Sequence, residues 1–178
     1  LDEMLSASNL SFGLFPGLTR GAMEAIAAHA SDDLKTRYLA PLISGEWTGA
    51  MALTESGAGT DLALLKTKAE DLGDGRFAIT GQKIFISSGD HDMASNIVHL
   101  VLARLPDAPA GVKGISLFLV PKMLPDDTRN TMSVGALEKK MGIHAQPTCV
   151  MNYDGATGWP VGEPHRGLAA MFTMMNAE

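Results

Sequence analysis

The 178-residue sequence has a net charge of −6, with 46% hydrophobic and 19% charged residues, the make-up of a globule about one domain long rather than a disordered chain. The acidic balance, with no Lys/Arg cluster, argues against non-specific binding to nucleic acid or to a membrane surface, since both draw on excess cations. One cysteine, Cys149, allows no internal disulfide, no apolar run reaches the roughly 18 residues of a membrane span, and no basic start precedes an apolar segment, so a cytoplasmic protein with no membrane insertion is predicted.

Residues 1–45 have helical periodicity. Leu1, Met4, Leu5, Ser8 and Phe12 share one face, and Leu18, Ala22, Ala25, Ile26 and His29 another, with Gly13 and Pro16-Gly17 between them. Ser31 predicts the N-cap of a further helix with Asp32 and Asp33 in its first turn, where carboxylates complement the helix dipole. Pro41 predicts its end, because proline lacks an amide donor and restricts Ala40. The apolar residues at both ends read as helices entered and left midway, as expected of a piece of a longer protein.

From Glu46 the pattern changes to strands. Residues 66–72 and 76–80 read as a hairpin around Gly73-Asp74-Gly75. Ile97 to Leu105 and Ile115 to Val120 are nearly continuous apolar runs, expected of strands covered on both faces. Thr148 to Tyr153 adds another, and Leu168, Met171, Phe172 and Met175 return to helical spacing. About seven strands predict an all-β sandwich or barrel. The fold class is α+β: residues 1–45 end a helical domain, 46–163 form a middle β-domain, and 164–178 begin a C-terminal helix.

Two blocks carry the chemistry. Met51-Ala52-Leu53-Thr54-Glu55-Ser56-Gly57-Ala58-Gly59-Thr60-Asp61 reads as a strand entering a glycine-broken loop that offers amides and hydroxyls. Gly81-Gln82-Lys83-Ile84-Phe85-Ile86-Ser87 is a second strand ending in a hydroxyl. Such a pair suits a large, part-aromatic, part-anionic ligand lying across a sheet, and a flavin dinucleotide fits. Flavin needs donors along its polar ring edge, an apolar surface against the ring and amides near its pyrophosphate. Thr54 and Ser87 can supply hydroxyls, Leu53 and Ile86 amides, Phe85 a packing surface, and Gly57 to Thr60 a close backbone approach. Singly, Thr54 reads as a locally bonded strand hydroxyl, the glycines as a turn and Phe85 as core; their joint occurrence reverses this. The glycines form no Rossmann fingerprint, since Leu62 stands in the last glycine place, and there is no Walker lysine-hydroxyl pair.

Together the blocks resemble the flavin-binding signature of the acyl-CoA dehydrogenase family, a Thr-Glu-x-Gly-x-Gly-(Ser/Thr)-Asp loop followed by an aromatic-Ile-(Thr/Ser) strand. Lys66-Thr67-Lys68-Ala69, Gly45 to Gly49 and Lys140-Met141-Gly142-Ile143-His144 extend the likeness along nearly the whole chain. The run from His91 to Pro121 is most similar to larger bacterial members, including the branch of methylthiopropanoyl-CoA dehydrogenases. The resemblance implies FAD as cofactor, held by Met51, Leu53, Thr54, Gly57, Gly59, Thr60, Phe85, Ile86 and Ser87. Thr54 would face the pyrimidine edge, Ser87 the N5 region, and Thr60 both the pyrophosphate and the CoA part of an acyl-CoA substrate. Many relatives have Trp at the place of Phe85 and Tyr at that of Met51.

The resemblance further implies oxidation of an acyl-CoA to the 2,3-enoyl-CoA, an acceptor such as an electron-transfer flavoprotein, and a homo-oligomer, dimer or tetramer. The family's catalytic glutamate lies in a C-terminal domain beyond this chain, so no catalytic residue is expected here, and Glu55, Glu70 and Glu138 are not assigned that role. A flavin-dependent acyl-CoA oxidase or monooxygenase of the same fold, or a non-enzymatic β-sandwich binding module, are the alternative classes. His91 with Asp90 or Asp92 reads as a polar rim rather than a metal site. His144 and His165 have no neighbouring nucleophile. Cys149 reads as a small core residue, and Met171, Met174 and Met175 as interdomain core.

Overall fold

The computed structural model describes residues 1–177. Among the described residues, five α-helices and seven strands form one α+β unit. The first predicted helix is split: α1 spans Asp2–Ser8 and α2 Leu10–Leu14. Asn9 between them takes an extended backbone and its side chain accepts from the Phe12 amide at 3.1 Å. Asn competes with the helix for backbone groups in this way, a break that apolar periodicity alone did not register. Helix α3 (Gly17–His29) buries Leu18, Ala22, Ala25 and Ile26 as predicted.

Helix α4 (Asp32–Ser44) starts at Ser31, whose hydroxyl accepts from the Leu34 amide. It runs through Pro41 to Gly45, contrary to the predicted stop before Pro41. The last turn is retained because Leu42 is 2% exposed in the core and Gly45 closes the helix in the left-handed conformation, φ 77°.

The strands are β1 (Trp47–Ala52), β2 (Lys68–Asp71), β3 (Phe77–Ser87), β4 (Asn96–Arg104), β5 (Ile115–Pro121), β6 (Met132–Leu137) and β7 (Thr148–Pro160). β1 runs parallel to β4, which pairs antiparallel with β5. β5 joins the end of β7, β7 pairs with β3, β3 with β2, and β2 returns to β4 through Lys68↔Arg104. The pairings thus close into a barrel-like ring, with β6 added along β7. β6 and the far half of β7 were not foreseen; Asp154, Gly155 and Gly158 give that stretch of β7 little strand propensity of its own.

Alternation along β4 and β5 divides the core. Val98, Leu100, Leu102, Leu117 and Leu119 face α3, α4 and the C-terminal helix α5 (Gly167–Ala177). Ile97, Val101, Ala103, Phe118 and Val120 face the barrel interior with Ile79, Ile86, Cys149 and Met151. Met171 and Met174 are fully buried against α3, where Gly21 permits close approach: a Cβ there would lie 2.7 Å from the Met174 carbonyl oxygen. Among the described residues no helix is long and apolar enough to cross a membrane.

Candidate functional site

The two blocks meet at the end of β1 and β3. The Ile84 amide donates to the Thr54 carbonyl at 2.9 Å. Lys83 Nζ donates to the Leu53 carbonyl at 3.1 Å and to Glu55 Oε1 at 2.8 Å. Three consecutive residues of the first block are therefore gripped by two consecutive residues of the second.

Glu55 is nearly buried and accepts from the amides of Lys66 at 2.7 Å and Thr67 at 3.0 Å, and from the Thr67 hydroxyl. Burial pushes the Glu55 pKa up, but Lys83 and these donors outweigh it, so its carboxyl titrates below the usual range. Burial lowers the Lys83 pKa to about 8, against the pull of Glu55. Sequence reasoning did not pair them. The signal available was register: Ile79, Gly81 and Lys83 alternate inward along β3, so a lysine aimed at the core required an anionic partner.

Beyond Lys83, β3 bulges. Lys83 faces Met151 and Ile86 faces Cys149, so three steps on β3 match two on β7. Phe85 occupies the extra place with φ 60° and is 59% exposed. A left-handed backbone is costly for a bulky residue, and bulges commonly re-aim side chains beside binding sites. The bulge returns Ile86 to the core, where it is 1% exposed. Ser87 is half-buried at the strand end.

The segment after Ser87 is fixed from several sides. The Ser88 amide donates to the Pro147 carbonyl at 2.8 Å. His99, fully buried, contacts the Gly89 carbonyl through Nε2 at 2.8 Å and the Tyr153 hydroxyl through Nδ1 at 2.7 Å. Burial lowers the His99 pKa to about 4 and raises that of Tyr153. Neutral His99 has one N–H; a carbonyl only accepts, so Nε2 donates to Gly89 and Nδ1 accepts from Tyr153. His91 Nε2 contacts Thr48 Oγ1 at 3.1 Å, while Asp90 is paired with Lys122 and Arg129. These side chains are engaged in holding the loop.

The loop from Glu55 to Thr60 turns tightly, with Glu55 and Ala58 bonded amide to carbonyl in both directions. Gly57 has φ 84°, which favours glycine, and a Cβ there would meet nothing within 4 Å. A Cβ on Gly59 would make only an ordinary 3.7 Å contact with Thr54; the protein's own packing leaves that position open. Thr54 is half-buried and Thr60 exposed. Met51 and Leu53 are half-buried and pack against the core shared with the helices. Among the described residues, the hydrogen bonds around the blocks use Glu55, Thr67 and Lys83, and leave the hydroxyls of Thr54, Thr60 and Ser87 for other partners. The result is an open face rather than an enclosed cavity. The concavity of about 600 Å³ lined by Lys66, Lys68, Glu70, Arg104, Leu105, Pro106 and Ala108 has neither Phe85 nor Ser87 in its lining.

The family model for the acyl-CoA dehydrogenase middle domain matches residues 50–156, which take in the barrel-like sheet, the glycine loop and the bulged strand. The chain belongs to this flavin-dependent family. It is 51% identical over 180 residues to 3-methylmercaptopropionyl-CoA dehydrogenase of Ruegeria pomeroyi, covering 98% of this chain and 31% of that protein. It is 43% identical over 190 residues to a butyryl-CoA dehydrogenase of Syntrophomonas wolfei, again covering 31% of the relative and 99% of this chain. The butyryl-CoA dehydrogenase structure from Megasphaera elsdenii superposes with a TM-score of 0.84 at 26% identity, covering 99% of this chain and 44% of that one.

Proposed function

We propose that the complete protein dehydrogenates an acyl-CoA thioester to the 2,3-enoyl-CoA, with FAD held on the face formed by the two blocks. Support comes chiefly from one observation: Ile84 and Lys83 lock Leu53-Thr54-Glu55 against a bulge that turns Phe85 outward, so two hydroxyls and an aromatic ring are offered together. The residues fit the cofactor. Phe85 exposes an apolar ring in a strained conformation, Gly59 leaves room that the protein does not fill, and Thr54 and Ser87 offer hydroxyls of mixed donor and acceptor character.

Bound there, FAD supplies a two-electron acceptor for the hydride leaving the β-carbon. Thr54 and Ser87 would bond its polar edge, with the Leu53 and Ile86 amides as further donors and Met51 beside them. Phe85 would cover the ring, and Gly57 to Thr60 would bring backbone close to the pyrophosphate. Thr60 would also meet the CoA portion, orienting the thioester. The proton-abstracting carboxylate belongs outside this chain. Glu55 is neutralised in its ion pair, Glu70 is exposed on β2, and Glu138 follows β6 beside two lysines.

An electron-transfer flavoprotein as reoxidant, a homo-oligomeric assembly and a cytoplasmic setting complete the reading, the last supported by the lone, buried thiol of Cys149. The test is anaerobic addition of acyl-CoA substrates to the purified complete protein. Loss of flavin absorbance with formation of enoyl-CoA is expected; a protein that binds no flavin overturns the reading. Oxygen uptake without an added acceptor would turn it toward an oxidase.

A further inference from the structure

The Glu55–Lys83 pair is the feature of the site that neither the core nor surface solubility explains. Lys83 has 0% side-chain exposure and Glu55 8%. A buried ion pair gains little stability over apolar residues of similar volume, so its presence calls for another explanation. The contacts supply one. Lys83 holds the carbonyl just before Thr54 and the carboxylate just after it, and Ile84 holds the Thr54 carbonyl itself. With its neighbours fixed on both sides, Thr54 has little freedom to turn.

The other end of the linkage is equally short. Phe85 lies two residues beyond Lys83 and Ser87 two residues beyond Phe85, on a strand whose pairing with β7 resumes at Ile86↔Cys149. Glu55 in turn anchors Lys66 and Thr67, which closes the glycine loop at its far side. The Lys83 ammonium and the Ile84 amide, on consecutive residues, are thus the two links that tie the first block to the strand ending in Ser87.

We infer that Glu55 and Lys83 are positioning residues, a charged clamp that sets the Thr54 and Ser87 hydroxyls and the Phe85 ring at one fixed mutual geometry for the bound isoalloxazine. The inference rests on the flavin reading above. A charged clamp suits this task better than apolar packing because its directional bonds fix register, whereas methyl groups tolerate sliding.

The test compares the complete protein with Lys83→Met, with Glu55→Gln/Lys83→Met, and with Thr67→Val, which removes one hydroxyl from Glu55. FAD affinity, the visible circular dichroism of bound FAD and the melting temperature of the flavin-free form are measured on each. Lys83→Met should lower all three. The double variant leaves no uncompensated buried charge, so its melting temperature should return close to wild type. Its FAD affinity should stay weaker by about tenfold, with an altered dichroism band, because the register is still lost. A merely structural pair predicts that binding recovers along with stability.

Thr67→Val should shift dichroism and affinity in the same direction by a smaller factor, and it decides the matter if the double variant does not fold. FAD bound with wild-type affinity and dichroism by the folded double variant, or by Thr67→Val where the double variant fails, overturns the clamp alone. No FAD binding by wild type overturns the flavin reading itself.

Discussion

Asn96 to Ala103 on β4 and all of β5 are buried, and their apolar side chains alternate between two cores, with His99 reaching across to the segment after Ser87. The face made by residues 53–61 and 83–89 is built from the same sheet yet behaves differently. It holds a phenylalanine 59% exposed at φ 60°, a glycine with open space above it, and hydroxyls without a bond among the described residues. The ribbon is explained by folding alone, whereas the face keeps costs that folding does not recover, and such costs gather where a ligand makes use of them.

The contrast can be broken most forcefully in the ribbon. Leu100→Ala should cost about 2–5 kcal/mol of unfolding free energy in denaturant titrations, through lost burial and the cavity left behind. FAD affinity of the folded fraction should remain close to wild type. A comparable loss of flavin affinity would mean that the ribbon and the face are not separable.

Acid titration sharpens the difference next. The folded-state pKa of Glu55 lies below its ordinary value of 4.5, since Lys83 and the donors around it outweigh burial. Its contribution to stability is therefore whole above that value and is lost as pH falls through the folded one. Glu55→Gln should flatten the acid limb of a stability-against-pH curve. An unchanged limb would show that the pair does not stabilise the face.

Phe85→Gly should separate folding from binding. Glycine relieves the left-handed strain of about 1–2 kcal/mol, offset in part by about 0.5–1 kcal/mol of extra chain entropy. The flavin-free protein should thus be unchanged or more stable by up to about 1.5 kcal/mol, while FAD binds more weakly. Lower stability with unchanged binding would return Phe85 to an ordinary packing role. The smallest effect is expected at Thr60. Thr60→Ser should change affinity for FAD and acyl-CoA by less than about 0.5 kcal/mol, whereas Thr60→Val should weaken both; calorimetry showing equal binding by the two variants would remove Thr60 from the site.

Much of this was legible in the sequence because the signals were local. The apolar runs of β4 and β5, the Ser31 cap and the hairpin around Gly73 to Gly75 each announce themselves within a few residues, and the two blocks are recognisable as written. What was missed depends on distant partners. Leu42 keeps α4 going past Pro41 through tertiary burial, Asn9 breaks a helix by a side-chain bond, and β6 with the rest of β7 forms only because pairing partners exist. Glu55 and Lys83 are separated by β2 and the first half of β3, and only the inward register of Lys83 hinted that a buried anion was waiting for it.

The most direct measurement is calorimetric titration of FAD into the deflavinated complete protein, comparing wild type with Thr54→Ala and Ser87→Ala. Wild type should bind, and each variant should lose about 0.5–1.5 kcal/mol of binding free energy, more if a buried flavin atom is left without a partner. Wild-type affinity in both variants would contradict the assignment of this face to the flavin ring.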